Sequence, residues 1–316
     1  MQGFNPVLLR DSLTTFKKAD LLHPDTAWHA YLALYNLAPL QSRYQLKVGL
    51  VRCDEFDLVV QYYAQHTANL GTVVLVHGYM DHVGLYSRLI ECLLARGWDV
   101  LCYDLPGHGL SSGASYSIDH FTRYAQQLSH ILQVRPLTGP IVMLGQSTGG
   151  AVVLAHQKLL AQEQSDDPIA QRILLAPLIR PAQYPVIRFK YAMLRFFLSR
   201  VRRFHGVNSH DAAFMRFIRL QDPLQKHWVA VNWIGAMLEW VELIEAGYPQ
   251  QIDITVIQGT EDETVDWQHN LSVLERLFPR IQVALIKEGR HHLANEGLPW
   301  RDQVYDEISK VLQQLE

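Results

Sequence analysis

The run Gly145-Gln146-Ser147-Thr148-Gly149-Gly150 sets a serine among small residues directly after the apolar stretch Ile141-Val142-Met143-Leu144. A serine hydroxyl is a poor nucleophile at neutral pH. It needs a base to take its proton and a carboxylate to orient that base. Small residues at 145 and 149 permit a sharp strand-to-helix turn that lifts Ser147 into the open. The segment that follows, "GAVVLAHQKLL", is a good helix former, and the amides at its start suit developing negative charge. The plainer alternative is a glycine-rich turn whose serine caps a helix. Three such fixed positions arise by chance in about one chain of this length in ten, so the decision falls to the partners.

Candidate partners stand at the ends of two other apolar runs. "IQGTEDETVD" follows "ITVIQ" and offers Asp262, with Asp266 as its rival; Asp266 also precedes the helical pattern "WQHNLSVLERL", where an aspartate caps well. "IKEGRHHLANEG" follows "VALIK" and offers His291, with His292 beside it; His291 is preferred. The chain order serine, acid, histidine is the order of a nucleophile-elbow hydrolase. Acyl transfer further needs amide donors for an oxyanion. The backbone N–H of Tyr79, in "VLVHGYMDH", and that of Thr148, next to the serine, are the candidates. His77 in the same turn is expected to bond locally and hold the loop. Neither His77 nor His82 belongs to a metal-binding spacing such as HExxH, and this chemistry calls for no metal or organic cofactor.

These residues need a scaffold that brings distant strand ends together. "LKVGLVRC" and "DLVVQYYAQ" read as an opening antiparallel pair. "TVVLVHG", "WDVLCYDLPG", "PIVMLGQS", "RILLAP", "ITVIQGT" and "QVALIKEG" are compact apolar runs separated by helical stretches. Such alternation predicts a mostly parallel central sheet flanked by helices on both faces, with ligands bound at the carboxyl ends of the strands. The alternation breaks after the sixth strand, and residues 177–247 are expected to form a helical cap, with Ile187, Tyr191, Leu194, Leu198 and Val201 at helical spacing. Residues 1–176 and 248–316 then make the core, with 1–45 as a helical extension.

The chain has 316 residues, a formal net charge of −3, 48% hydrophobic and 19% charged residues. That is a globular composition with no general argument for nucleic-acid binding. Cys53, Cys92 and Cys102 are odd in number and widely spaced, which predicts neither a disulfide framework nor a zinc site and suggests a reducing, cytoplasmic setting. The sequence shows no signal-peptide pattern and no apolar run of transmembrane length. Local charge differs from the whole: residues 180–219 hold nine basic residues against the single acid Asp211. Arg200, Arg202 and Arg203 are interleaved with aromatics, a pattern that fits an acidic headgroup or an anionic membrane surface. A solvated cap face is the plainer account of most of these arginines.

"HGYMDHVGLYSRL", "YDLPGHGLSSG", "GQSTGG", "GTEDETVD" and "GRHHLANE" together resemble the α/β-hydrolase fold, and more narrowly its monoacylglycerol lipase and lysophospholipase branch, grouped with serine aminopeptidase-type hydrolases. The likeness runs over roughly residues 45–316. It implies Ser147 as nucleophile, Asp262 as acid, His291 as base within an R-H-x-L-x-N-E arrangement, and Tyr79 and Thr148 as oxyanion donors. Gln146 and Thr148 stand where the family's elbow commonly has His and Met, and Asp81-His82 replaces its Glu-His. The expected function is hydrolysis of a small amphiphilic monoacyl ester without a cofactor. A peptidase or thioesterase on the same machinery is the first alternative, and a non-catalytic module docking through its basic cap is the second.

Overall fold

The computed structural model describes residues 4–22, 26–134, 137–203 and 206–316; residues 1–3 and 23–25 of the expected N-terminal extension lie outside them. Three short helices, α1 (Pro6–Asp11), α2 (Thr26–Leu34) and α3 (Ala38–Arg43), precede the sheet. Its strands are β1 (Gln45–Cys53), β2 (Phe56–Ala64), β3 (Thr72–Val76), β4 (Asp99–Tyr103), β5 (Ile141–Gln146), β6 (Ile169–Leu175), β9 (Ile254–Gly259) and β10 (Gln282–Ile286). They lie in the order β1-β2-β4-β3-β5-β6-β9-β10. β2 runs antiparallel to both β1 and β4, and every other pairing is parallel.

Side chains alternate across the sheet, as period-two strands covered on both faces require. Val74, Val76 and Met143 enter one core, beneath α5 (Phe121–Gln133), α6 (Thr148–Glu163) and α10 (Trp267–Leu277). Val73, Leu75, Val142 and Leu144 enter the other, with α2, α4 (Ser87–Ala95) and α11 (Trp300–Gln313). Cα register pairs Val76 with Gly145, Gln146 with Leu175, Leu175 with Ile257 and Ile286 with Gly259. The carboxyl ends of five strands therefore lie along one edge. The strand order reverses at β3, with β4 on one side and β5 on the other, the place where such sheets open a ligand crevice.

Between β6 and β9 the chain builds α7 (Tyr184–Leu194), β7 (Arg200–Arg202), α8 (Ala212–Leu220), β8 (Trp228–Ala230) and α9 (Val231–Glu245). The spacing that suggested one helix through Val201 is cut short. α7 stops at Leu194, and Arg200-Val201-Arg202 pairs antiparallel with Trp228–Ala230. Apolar spacing alone cannot show that a partner strand lies almost thirty positions away. α9 packs Trp233, Met237 and Trp240 onto one core, whereas α8 packs Phe214 and Ile218 onto the other. The insertion therefore straddles the carboxyl edge.

Candidate active site

Ser147 sits between β5 and α6 with φ 54° and ψ −113°. A residue with a Cβ holds such a conformation at a cost of about 1–3 kcal/mol and only when its surroundings enforce it. Here its N–H donates to Leu175 O (2.8 Å), while its carbonyl accepts from the N–H groups of Leu178 and Ala151 (both 3.1 Å). Glycine is required on either side by close approach. A Cβ on Gly145 would overlap the carbonyl of Gly149, and one on Gly149 would overlap that of Val76. The elbow is thus pressed against the central strand.

The three polar candidates converge on this turn. His291 Nε2 lies 2.9 Å from Ser147 Oγ, and its Nδ1 lies 2.8 Å from Asp262 Oδ2. With Nδ1 protonated and donating to Asp262, Nε2 is free to accept the serine proton. Asp262 also accepts from the N–H groups of Thr264 (2.8 Å) and Val265 (3.1 Å) and from Gln258 Nε2 (3.1 Å). Burial alone would raise its pKa, but His291 and these hydrogen bonds outweigh burial and hold it below the ordinary value. Asp266, the rival acid, caps α10 through the N–H of His269 (3.4 Å).

Tyr79 and Thr148 both line the cavity over Ser147. Among the described residues neither backbone N–H donates to a protein acceptor. The Tyr79 loop is held from several sides. Met80 follows with φ 65°, and the N–H of Asp81 donates to Gly78 O (3.1 Å). The Tyr79 ring stacks on Trp233 of α9 at 3.6 Å, and its hydroxyl donates to Tyr116 O (2.8 Å). His77 holds the turn as expected, with Nδ1 2.7 Å from Gly78 O and Nε2 accepting from the N–H of Leu105 (2.9 Å). Burial lowers its pKa, which keeps it neutral in that role.

His292, the rival histidine, also lines the cavity over Ser147, with its Nε2 3.2 Å from Asp81 Oδ2. Asp81 also accepts from the Tyr86 hydroxyl (2.7 Å). Two further residues carry more of the geometry than their motifs announced. Gln146 is buried; its Nε2 donates to His291 O (2.9 Å) and its Oε1 accepts from the N–H of Ala294 (3.3 Å). An amide in the otherwise apolar β5 was the available signal. Glu296, fully buried, accepts from the N–H groups of Arg290 (2.7 Å) and His210 (2.6 Å). It therefore ties the His291 loop to the insertion.

A cavity of about 390 Å³ opens over Ser147. Leu178, Ile187, Trp233, Ile234, Met237 and Val265 supply an apolar wall. The structure divides the three expected arginines. Arg202 and Arg203 line the cavity, whereas Arg200 is exposed outside it, over the Trp228 ring at 4.9 Å. Arg219 joins the lining from α8. Among the described residues, no group of three or more His, Cys, Asp or Glu side chains could hold a metal ion.

The sequence pattern of the family described as serine aminopeptidase, S33, matches residues 67–297. The chain belongs to that family. Among curated proteins, rat (Rattus norvegicus) monoglyceride lipase is 25% identical over 272 residues, covering 83% of this chain and 88% of the relative. Human (Homo sapiens) monoglyceride lipase is 23% identical, covering 87% and 93%. Among solved structures, a soluble variant of the Saccharomyces cerevisiae monoglyceride lipase in complex with a substrate analogue superposes with a TM-score of 0.72 at 17% identity, covering 84% of this chain and 94% of that one. The Paleococcus ferrophilus monoacylglycerol lipase gives 0.70 at 19%, covering 82% and 99%. The sheet order and the strand-end cavity are thus the α/β-hydrolase arrangement, and the S33 family match takes in the elbow, the Asp262 loop and the His291 loop.

Proposed function

We propose that this S33-family chain is a serine carboxylic-ester hydrolase acting on monoacyl lipids. The carrying observation is the hydrogen-bonded line from Ser147 through His291 to Asp262 beneath an apolar cavity; the monoglyceride lipases among its relatives support the same substrate class. Ser147 Oγ attacks the ester carbonyl while His291 Nε2 takes its proton. Asp262 holds the imidazole tautomer and stabilises the imidazolium. The Tyr79 and Thr148 amides receive the oxyanion, a donor of this kind contributing about 10²–10³ in rate. His291 then protonates the departing alcohol, the C–O bond breaks, and water repeats the sequence on the acyl-enzyme with His291 as base.

Residues 177–247 serve as the cap that closes this site, and its outer face makes peripheral contact with an anionic membrane. Phe196 and Phe197 are 76% and 81% exposed, close to Arg195 and Arg200. Each basic residue near an anionic surface contributes about 1 kcal/mol. A peptidase is disfavoured because a free substrate amine needs an available carboxylate. The acid in the described lining, Asp81, is already engaged by Tyr86 and His292.

The test is Ser147→Ala. It should remove both labelling by a fluorophosphonate probe and hydrolysis of a monoacylglycerol, with an unchanged circular dichroism spectrum. Wild-type protein that takes up no probe and cleaves no ester would refute the reading.

A further inference from the structure

Resting on the hydrolase reading above, we propose that the β7–α8 wall of the same cavity is a subsite for an anionic headgroup, so that the preferred ester carries a phosphate on its alcohol side. Arg202, Arg203 and Arg219 reach the cavity from β7, from the residue after it and from α8. Among the described residues none of the three pairs with a carboxylate; Arg203 donates to the uncharged Gln225 Oε1 (2.6 Å). The acid in the lining, Asp81, is already engaged by Tyr86 and His292. The wall is therefore net cationic in a chain of net charge −3. The hydroxyls of a neutral glyceride give three guanidiniums no counter-charge, whereas phosphate oxygens match their fork of donors.

A second observation points to the same wall. Among the described residues, Asn208 Oδ1 is buried there without a hydrogen-bond partner. A buried acceptor is what a glycerol hydroxyl beside the phosphate would donate to. The two-core packing of the cap sets the direction. The apolar lining, Leu178, Met237 and Val265, belongs to the core under α9; Ile218 belongs to the opposite core with α8. The acyl chain takes the first side and the headgroup the second.

The experiment compares kcat/KM for a 1-acylglycerol 3-phosphate and for the 1-acylglycerol of the same chain, both in neutral detergent micelles. Arg202 and Arg219 are exposed, so water screens them, and the expected preference for the phosphate ester is about tenfold, or ~1.4 kcal/mol. The double variant Arg203→Gln/Arg219→Gln should bring that ratio close to one. Arg216→Gln, which removes the same charge from α8 outside the cavity lining, should keep the wild-type ratio. A wild type that prefers the neutral ester, or a double variant with an unchanged ratio, overturns the subsite while leaving the hydrolase reading intact. Failure to cleave either ester removes both. Glycerol 3-phosphate should compete with the neutral ester; equal competition by inorganic phosphate would mark a free-anion site and overturn the headgroup assignment.

Discussion

Gln146 offers the sharpest test of how the site is held. Its amide bridges the elbow to the histidine loop, donating to His291 O at 2.9 Å and accepting from the N–H of Ala294 at 3.3 Å. Gln146→Met keeps the volume and removes both bonds, leaving the buried Ala294 N–H unpaired and the His291 carbonyl with the Leu293 N–H (2.9 Å) as its remaining donor. The unpaired amide costs about 1–3 kcal/mol, and the carbonyl, still paired with Leu293, adds little, so the expected loss of stability is about 1–3 kcal/mol. A domain stable by about 5–15 kcal/mol still folds. The effect on rate is separate. His291 Nε2 sits 2.9 Å from Ser147 Oγ, inside a workable window of about 2.6–3.2 Å. A displacement near 1 Å costs on the order of 10²-fold. The expected result is a 10- to 100-fold fall in kcat, by the same reasoning, with a smaller change in KM and slower fluorophosphonate labelling. Gln146→His, whose ring can both donate and accept, should recover part of the loss. The assay is steady-state ester hydrolysis alongside urea unfolding. A Gln146→Met protein that loses stability but keeps wild-type kcat would refute a positioning role.

Two further outcomes are expected. His82 Nε2 lies 2.9 Å from Asp222 Oδ2, and the Tyr35 hydroxyl donates to Asp222 Oδ1 (2.6 Å), all three buried, so one carboxylate joins the loop after β3, the segment between β6 and β9 and the end of α2. Burial lowers the His82 pKa, but Asp222 more than reverses this and the net shift is upward; burial raises that of Asp222, but His82 and Tyr35 reverse it and the net shift is downward. The His82 contribution is therefore complete below its unfolded value of about 6.5 and is lost as pH rises through the higher folded value. Asp222→Asn should cost about 3–5 kcal/mol at pH 6 and flatten the fall of Tm above pH 7; parallel Tm profiles for variant and wild type would count against the pair. For the cap's outer face, Phe196→Ser/Phe197→Ser should weaken sedimentation with anionic vesicles by at least about tenfold, ~1.4 kcal/mol, and unchanged sedimentation at low salt would discard the membrane contact.

The sheet and the convergence of Ser147, His291 and Asp262 were legible for related reasons. A strand buried on both faces must be a short unbroken apolar run, so β3, β5, β6 and β9 announced themselves, and a parallel sheet puts all their ends on one edge. Once that edge was given, Ser147, Asp262 and His291 had nowhere else to meet, although their partnerships span 144 and 29 positions. The polar ties around them obey no such rule. Asp222 meets His82 140 positions away and Tyr35 187 positions away, with no periodicity to mark the pairing. Arg219 reads as one of many cap arginines until α8 turns it to the cavity. The family motif around His291 shows the same limit from the other side. Its trailing asparagine and glutamate look catalytic in a string of letters, yet Asn295 Nδ2 donates to Leu85 O (2.7 Å) and Glu296 binds Ser209 and His210 in the segment between β6 and β9. Both act on the loop that carries His291. The Ser147–His291 contact therefore depends on one loop anchored twice, to the sheet through Gln146 and to the segment between β6 and β9 through Glu296, and a change at either anchor should reach the serine without touching Ser147, His291 or Asp262.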